Sequence, residues 1–579
     1  MKIHLLDIIP QRDATPLATQ ALADTQKLRP SSLLSGWTSP GLRLILAICI
    51  AAPIALYLWF VLRYSVNVIY WDEWDIVPLI DHLRTRTLTL QQLWTLHSGH
   101  RMLVPNLMFL LIAQFAAFDT RVLVYLSAGL LIISFILLVA TYRRRETSFL
   151  GIVPVAYLMF SLAQWENALW GFQVAWYLIL ACLIALIYCL EQSGRNRPAF
   201  ALGIALAMVA SFSSLQGLSL WPVGFIYLLR GNFTPRQRIT WLSFGLTTAL
   251  VYFRHFGVEG SLLSHSTSHV LESAEFFLVA VGSVIPVDKL GAFVPRFLLE
   301  GLLGLVLCAL SVYVIIAGCS RARSDEALLA PITLVSFALI FNILLAVGRT
   351  GVWGGLEQAE QPRYTTYNLL LLVGTYLALL HLLRVKRGRE APIAGGAGAF
   401  VLLMFVQVAV SSWVGLEIGS GALRNRIQGA DLVVNYRIAP ASLIAGYNAY
   451  PEPDVFRARA AVVERYHLSV FATPDAAVYA EAGVVPGGRI GRMLPPPQPL
   501  APSFHQDSSL WLAWKVLSAM YFQRPDLQMA FPPTSADYIA NLLSWATKSG
   551  VTTDSESAFL IPHKKQLLYM REAIAKSAR

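Results

Sequence analysis

Charged side chains are scarce in this chain: 14% of its 579 residues are Asp, Glu, Lys or Arg, whereas 56% are hydrophobic. With a mean hydropathy of +0.56, this scarcity excludes a soluble globular enzyme. Cysteine is also rare, and all five thiols fall within apolar stretches. The polar loops therefore hold no thiol for a disulfide or a zinc site. The expected fold is an all-α polytopic membrane protein.

Ionisable side chains are almost absent from the apolar runs. These runs recur between Gly41 and Gly415 with lengths of about 16–22 residues, close to the thickness of a hydrocarbon core. Only Glu300 and His381 lie near the ends of predicted spans. Because ion-coupled transporters usually carry such groups near the midplane, this pattern argues against a transporter.

Basic residues outnumber acidic ones, giving a formal net charge of +11. They lie in short loops rather than along one amphipathic face, so they indicate membrane topology rather than nucleic-acid binding. The positive-inside rule places loops 143–145, 195–197, 230–238, 321–323 and 384–389 in the cytoplasm. We therefore expect a bacterial inner-membrane protein with a cytoplasmic N terminus and a periplasmic C-terminal region.

Two short apolar runs, 102–118 and 276–286, decide the number of crossings. If both cross, the chain has about 13 spans and loop 143–145 lies outside. If neither crosses, it has about 11 spans and every basic loop lies inside. We prefer the second arrangement, with both runs re-entrant or lying at the interface.

The sequence divides into three expected regions. Residues 1–40 form a flexible cytoplasmic tail, and residues 41–415 form the membrane domain, whose first exoplasmic loop spans 63–102. Residues 416–579 form a small mixed α/β exoplasmic domain. The first apolar run begins near Leu44 and lacks a small-residue cleavage pattern, so we expect an uncleaved signal anchor.

The first loop begins with three carboxylates, those of Asp72, Glu73 and Asp75, between Trp71 and Trp74. Carboxylates at the membrane surface can deprotonate a hydroxyl or hold a divalent cation. The two indoles can stack on a sugar or anchor the loop at the interface. A solvated acidic turn within an aromatic belt explains the same residues.

The loop ends with His97, His100 and Arg101, which would share one side of a helix. Facing the carboxylates, they could bind a phosphate, with Arg101 supplying a planar donor fork. A His–His metal site and simple interfacial anchoring are the alternatives.

Two later exoplasmic segments carry polar groups suited to a glycan substrate. Trp165, Glu166 and Gln173 combine acid, amide and indole side chains, which recognise sugar hydroxyls and faces. An aromatic-belt hairpin is the alternative. Arg349 and Arg363, the second of which is followed by Tyr364, are basic residues on the exoplasmic side. A lipid headgroup or a lipid-linked phosphate would offset their positive charge there.

The Asp72-Glu73 pair after the first span and the Arg363-Tyr364 step before a late span resemble the GT-C superfamily of membrane glycosyltransferases. The resemblance covers the membrane domain. It implies a polyprenyl-phosphate-linked sugar donor, a glycan, lipid or protein acceptor, and inversion at the anomeric carbon. Asp72 would be the general base, and Glu73 or Asp75 would position the acceptor or a cation.

In the same resemblance, Arg363, Arg349 or Arg101 would hold the donor phosphate. The residues specify no cofactor with certainty, and a divalent cation, Mg²⁺ or Mn²⁺, could assist. A polymerase or ligase of lipid-linked glycans shares the donor class, but its large catalytic loop usually lies late in the chain. A non-enzymatic flippase needs a polar path through the bilayer, which spans without charges do not provide.

Overall fold

The structure is a computed structural model that describes most of the chain. The described residues are 40–145, 149–193, 196–256, 268–286, 295–321, 325–351, 354–385, 391–448, 450–472, 493–494, 497, 500–504, 506–533, 535, 537–548 and 560–577. The predicted N-terminal tail lies outside them except for residue 40, as do parts of the predicted basic loops 195–197, 321–323 and 384–389.

Seven described helices are long and apolar enough to cross a membrane. They are Pro40–Tyr64, Thr120–Tyr142, Gly171–Ser193, Arg296–Ser320, Glu326–Arg349, Pro362–Leu383 and Gly398–Val434. The expectation of an all-helical, multi-pass membrane protein is therefore confirmed. The count of about 11 spans stays a prediction, because the other apolar helices are shorter or more polar.

The remaining helices of the membrane region are shorter. They are Val77–Arg84, Leu90–Leu93, Leu103–Phe115, Val153–Met159, Trp165–Leu169, Arg197–Ser211, Leu220–Arg230, Pro235–Phe253 and Val270–Gly282. Leu103–Phe115 and Val270–Gly282, which fall in the two ambiguous apolar runs, have 13 residues each. Such a helix is about 20 Å long, shorter than a hydrocarbon core of about 30 Å.

Glycines bring two of these helices into backbone contact. A Cβ atom on Gly282 would collide with the carbonyl oxygen of Glu300, and one on Gly304 would collide with that of Leu278. Helices Val270–Gly282 and Arg296–Arg321 therefore pack as closely as small residues allow, as is common within membranes. This contact fixes the position of Glu300.

The described residues after Val434 form helices and contain no strand. The helices are Ala441–Leu443, Pro453–Arg465, Ala501–Phe504, Ser508–Gln523, Pro525–Ala530, Tyr538–Thr547 and Lys564–Ser577. The expected mixed α/β composition is thus wrong for these residues. Moreover, the predicted boundary at residue 415 lies inside one continuous helix, Ala391–Val434.

The C-terminal helices and the first loop share one hydrophobic core. Trp74 packs edge-to-face on Phe456 with a centroid distance of 4.8 Å, and the backbone N–H of Ser469 donates to the Ala117 carbonyl at 2.7 Å. The same core includes Trp514 from helix Ser508–Gln523. The C-terminal helices therefore form part of the surroundings of the first loop.

The only sheet among the described residues is a hairpin of Leu96–His97 and His100–Arg101. Its turn residues, Ser98 and Gly99, have φ angles of 48° and 81°. Both values are left-handed, as a tight two-residue hairpin turn requires. The predicted helical arrangement of His97, His100 and Arg101 is therefore wrong: His97 and His100 face each other as cross-strand partners.

Candidate functional site

A short 3-10 helix, Trp71–Ile76, sets the positions of the first-loop carboxylates. Trp71 adopts a left-handed φ of 50°. The Glu73 carboxylate then turns back and accepts a hydrogen bond from the Tyr70 backbone N–H at 2.9 Å. This hydrogen bond fixes the turn, and the side chains of Asp72 and Asp75 take no part in it.

Glu73 also joins the first loop to the segment that follows Trp170. Its second oxygen accepts the backbone N–H of Phe172 at 3.1 Å, and its side chain is only 1% exposed. Burial raises the pKa of Glu73 to about 7, and the positive charge of Arg426 and the two backbone donors oppose that rise. Glu73 is therefore a structural bridge, and its catalytic role stays a prediction.

Asp72, Asp75 and His97 lie together, and we call them the first-loop cluster. One imidazole nitrogen of His97, Nε2, is 3.6 Å from an Asp72 oxygen, and the other, Nδ1, is 3.6 Å from an Asp75 oxygen. Burial lowers the pKa of His97, but the adjacent Asp72 carboxylate and the charge of Asp75 outweigh it, so the net shift is upward. A protonated His97 would thus balance the two acids.

The first-loop cluster also fits a divalent cation. One ligand atom from each of its three residues lies within 4.8 Å of the others, which is compatible with one shared ion. Two carboxylates and an imidazole are ligands that Mn²⁺ and similar cations accept. Binding would require His97 to lose its proton, so a cation and a proton compete for this cluster.

Two residues of the C-terminal region bind the Asp75 carboxylate. Arg459 of helix Pro453–Arg465 donates to one Asp75 oxygen, and the Tyr450 hydroxyl donates to the same oxygen at 3.1 Å. Neither residue was singled out by the sequence, because both lie hundreds of positions from Asp75. The basic helix Pro453–Arg465 carried no motif that would have linked it to the first loop.

Arg101 has a structural role, and its contact with a phosphate stays a prediction. Its guanidinium donates to the carbonyls of Trp94, Tyr252, Arg254 and His255, and its side chain is 4% exposed. Three of these carbonyls lie at or just after the end of helix Pro235–Phe253, where backbone acceptors lack helical partners. Arg101 therefore caps this helix and has no free donor fork for a ligand.

His100 and Arg349 lie close to each other near the first-loop cluster. Burial, together with the positive charges of Arg349 and His97, lowers the pKa of His100 to about 3, so its imidazole is neutral. Among the described residues, Arg349 has no ion-pair partner. Of the three arginines predicted to bind phosphate, Arg349 is the one whose charge remains available.

Arg363 is already paired. Its guanidinium contacts the Glu166 carboxylate at 2.9 Å, and its backbone N–H donates to the same carboxylate at 3.1 Å. The Asn167 amide donates to the Arg363 carbonyl at 2.7 Å. Two segments predicted separately as functional, around Glu166 and around Arg363, are thus brought together, but as an ion pair that neutralises Arg363.

The predicted sugar-binding aromatics divide into exposed and buried groups. Trp71 is 36% exposed and lies beside the Trp170 ring at 6.4 Å, so it can reach a ligand. Trp74 is fully buried against Phe456, which rules out stacking on a sugar. Tyr364 and Gln173 are 3% and 4% exposed and are likewise inside the protein.

Arg426 is a candidate that the sequence reasoning missed. Its guanidinium lies over the Tyr70 ring, 3.1 Å from the centroid, and its charge acts on Tyr70 and Glu73. It follows the last apolar run, so a search for arginines near the ends of spans, as for Arg349 and Arg363, would have included it. It connects helix Ala391–Val434 with the start of the first loop.

The chain was also compared with known proteins. No protein-family model matches its sequence, and no curated protein is significantly similar to it.

Proposed function

We propose that this chain is a membrane glycosyltransferase of the GT-C type. It transfers a sugar from a polyprenyl-phosphate donor to a cell-envelope glycan, lipid or protein acceptor. The observation that carries the proposal is the first-loop cluster, which combines two carboxylates and an imidazole next to the unpaired Arg349. This transfer requires a general base and a positively charged side chain that binds the phosphate.

Asp72 is the base in this proposal. Its side chain is 28% exposed, and among the described residues His97 is the side chain that contacts it. Glu73, by contrast, is buried, and Asp75 is held by Arg459 and Tyr450. Of these three carboxylates, Asp72 is thus the one that is neither buried nor held by Arg459 and Tyr450, and His97 positions it.

The reaction is a single displacement. The acceptor oxygen bonds to the anomeric carbon, the bond from that carbon to the phosphate oxygen breaks, and the acceptor proton passes to Asp72. Attack opposite the leaving group inverts the anomeric configuration. Because a phosphate leaves readily, it needs charge stabilisation more than a proton.

Arg349 supports the departing phosphate in this proposal, in place of the buried Arg101 and the neutralised Arg363. Neutral His100 beside it can exchange hydrogen bonds with a phosphate without adding charge. Where a divalent cation is bound, Asp72, Asp75 and His97 would hold it, and the cation would supply further charge neutralisation. Trp71 is the exposed aromatic residue suited to stack on a sugar.

The test uses the purified full chain and a panel of radiolabelled polyprenyl-phosphate sugars, with cell-envelope extract as acceptor. We expect label to move from donor to acceptor, and Asp72→Asn to abolish the transfer while the protein keeps its yield and melting temperature. Asp81→Asn, a part-exposed carboxylate change on the neighbouring helix Val77–Arg84, is the matched control.

Two outcomes would overturn this proposal. Near-normal transfer by Asp72→Asn would reject Asp72 as the base. No consumption of any donor, combined with unchanged surface glycans in a deletion strain by mass spectrometry, would reject the glycosyltransferase itself. A polymerase or ligase would consume the donor but build polymers or attach whole glycans, whereas a flippase would leave the donor intact.

A further inference from the structure

A cavity lies at the ends of several membrane helices, apart from the first-loop cluster. Its volume of about 330 Å³ falls within the range of small-ligand pockets, about 300–1,000 Å³. Of its lining residues, Arg296 and Pro362 each begin a helix, and Ser283 directly follows one. Helices Arg296–Ser320 and Pro362–Leu383 are long enough to span a membrane, so their first residues lie near its surface. A water-soluble ligand can reach a cavity in this position.

The cavity lies at the same end of the membrane helices as the first loop. Trp165, which lines the cavity, begins helix Trp165–Leu169. Trp170 follows this helix and packs edge-to-face on Tyr70 with a centroid distance of 5.8 Å. Because a helix of five residues is only about 8 Å long, Trp165 and Tyr70 lie on the same side of the membrane.

Trp165 offers the cavity an aromatic face. Its side chain is partly buried, and within the described part of the chain its indole makes neither a ring contact nor a hydrogen bond. An indole combines a broad apolar face with one N–H donor. This combination suits a ligand that has a flat patch of C–H groups and hydroxyl groups around it, as a pyranose ring has.

Thr365 contributes a buried hydroxyl group to the cavity. The residue is 3% exposed, and its hydroxyl makes no hydrogen bond to any residue that the structure describes. The next hydroxyl along the helix, that of Thr366, donates to the side-chain oxygen of Gln164 at 3.0 Å. A buried hydroxyl without a hydrogen bond is costly, and a polar group in the cavity would satisfy it. Thr365 therefore indicates a polar ligand.

Three further lining residues, Gln361, Arg296 and Glu357, supply both donors and acceptors. The Gln361 amide donates to the Glu357 backbone carbonyl at 3.1 Å, which leaves its side-chain oxygen as an acceptor for a ligand. Arg296 contacts a Glu357 oxygen at 3.0 Å, and the Glu357 side chain is 68% exposed. Because a carboxylate has about four acceptor sites, Glu357 can accept further hydroxyl donors while it stays paired. Hydroxyl groups, which both donate and accept, match this lining.

We propose that this cavity binds a sugar unit of a glycan. The sugar ring stacks on Trp165, and its hydroxyl groups exchange hydrogen bonds with Thr365, Gln361 and Glu357. A free glycan and the sugar part of a lipid-linked glycan offer the same chemistry to these residues. The inference concerns binding alone and does not depend on the sugar transfer proposed above. It adds a second sugar-binding position to the one at Trp71 in that proposal.

The test is sugar binding by the purified full chain in lipid nanodiscs, which avoid detergents with sugar headgroups. Saturation-transfer difference NMR measures the binding of glucose, galactose, mannose, N-acetylglucosamine, maltose and cellobiose, with glycerol as a polyol that lacks a ring. We expect at least one sugar to bind with a millimolar Kd and its ring C–H protons to receive the strongest saturation. No saturation of any sugar, or equal saturation of glycerol, would overturn the inference.

Two variants and two matched controls locate the site. Trp165→Ala removes the stacking face and should weaken binding about tenfold, whereas Thr365→Val removes one hydrogen-bonding group and should weaken it about threefold. Trp413→Ala removes an exposed indole, and Thr375→Val removes a buried hydroxyl that has no hydrogen bond. Neither control residue lines the cavity, so both variants should bind sugar like wild type.

Trp71→Ala distinguishes the cavity from the first loop. Sugar binding that is lost in this variant but kept in a folded Trp165→Ala variant would assign the sugar to the first loop and contradict the cavity site. If Trp165→Ala lowers the melting temperature, Thr365→Val decides the result, because valine keeps the shape of threonine. Wild-type affinity in Thr365→Val would then contradict the proposed site.

Hexyl glycosides of the sugar that binds separate the two sources of the ligand. Tighter binding of the glycoside than of the free sugar would support a lipid-linked glycan in the cavity. Equal affinity of both would support a free glycan.

Discussion

Arg459 donates a hydrogen bond to the Asp75 carboxylate, although the two residues are 384 positions apart in the chain. Tyr450 donates to the same oxygen. The C-terminal region therefore supplies two of the groups that position a carboxylate of the first-loop cluster. A reaction centred on this cluster depends on two segments that lie far apart in the chain.

Arg459→Gln should release Asp75 and reduce sugar transfer more than it reduces stability. Loss of one charge-assisted hydrogen bond should cost about 1–3 kcal/mol, and Asp75 should then turn toward His97. Steady-state transfer rates and melting temperatures are the measurements. Arg465→Gln is the control, because Arg465 is 62% exposed and lies 3.9 Å from Asp81. Equal effects of the two variants would argue against a role for Arg459 in the site.

Arg101→Lys should destabilise the protein without a specific effect on donor binding. A lysine cannot reproduce the planar fork that reaches several carbonyls, so the end of helix Pro235–Phe253 would lose its cap. Each buried acceptor left unsatisfied costs about 1–3 kcal/mol. Thermal unfolding in detergent should show a clear decrease in melting temperature. A stable variant with a raised KM for the donor would restore Arg101 to the phosphate site.

Glu73 should make stability fall as the pH rises. Its pKa is about 7 in the folded protein, compared with 4.5 for an unperturbed glutamate, so between these values the folded state holds a proton that the unfolded state has lost. The contribution of Glu73 to stability is therefore largest below about pH 4.5 and declines by up to about 1.4 kcal/mol per pH unit until about pH 7.

The measurement for Glu73 is the melting temperature of wild type and Glu73→Gln between pH 4.5 and 8. The raised pKa of His97 acts in the same direction at higher pH, since its contribution is present below pH 6.5 and is lost above it. Only the difference in melting temperature between wild type and Glu73→Gln isolates the contribution of Glu73. We expect that difference to change across the window, and a constant difference would contradict the ionisation of this buried group.

Divalent cations should stabilise the protein through the first-loop cluster. A cation at a concentration of 100 times its Kd stabilises the folded state by about 2.7 kcal/mol. Adding Mn²⁺ should therefore raise the melting temperature of wild type but not of His97→Ala, and the effect should weaken at low pH as His97 is protonated. His82→Ala, which changes a histidine on helix Val77–Arg84, is the control. Identical shifts in all three proteins would exclude the cluster as the cation site.

The membrane character could be predicted from the sequence because hydrophobic length is a local property. Apolar runs identified the long helices, and the clustering of polar residues identified the first loop as a unit. The sequence analysis placed Asp72 and Asp75 in a catalytic set and His97 in a separate phosphate-binding set of the same short loop, and the structure brings the three together. Their separate roles were not predictable from spacing.

The features that the sequence did not predict depend on contacts between segments that are distant in the chain. Glu73 and Asp72 are adjacent in sequence, yet one is buried and accepts two backbone hydrogen bonds while the other is accessible. Arg101 looked like a ligand because the end of helix Pro235–Phe253, which it caps, lies about 150 residues away. The C-terminal helices were taken for a mixed α/β domain because short apolar patches do not distinguish strand from helix.

Helix Ala391–Val434 has 44 residues and so extends for about 66 Å, roughly twice the thickness of a hydrocarbon core. A rigid rod of this length cannot fit inside a bilayer at any ordinary tilt. Its Val414 and Ile418 line a cavity between helices, and its Arg426 covers Tyr70 beside the first loop. A change in bilayer thickness that tilts or shifts this helix would therefore move Arg426 relative to the membrane surface, and the sugar transfer proposed above should vary with the acyl-chain length of the host membrane.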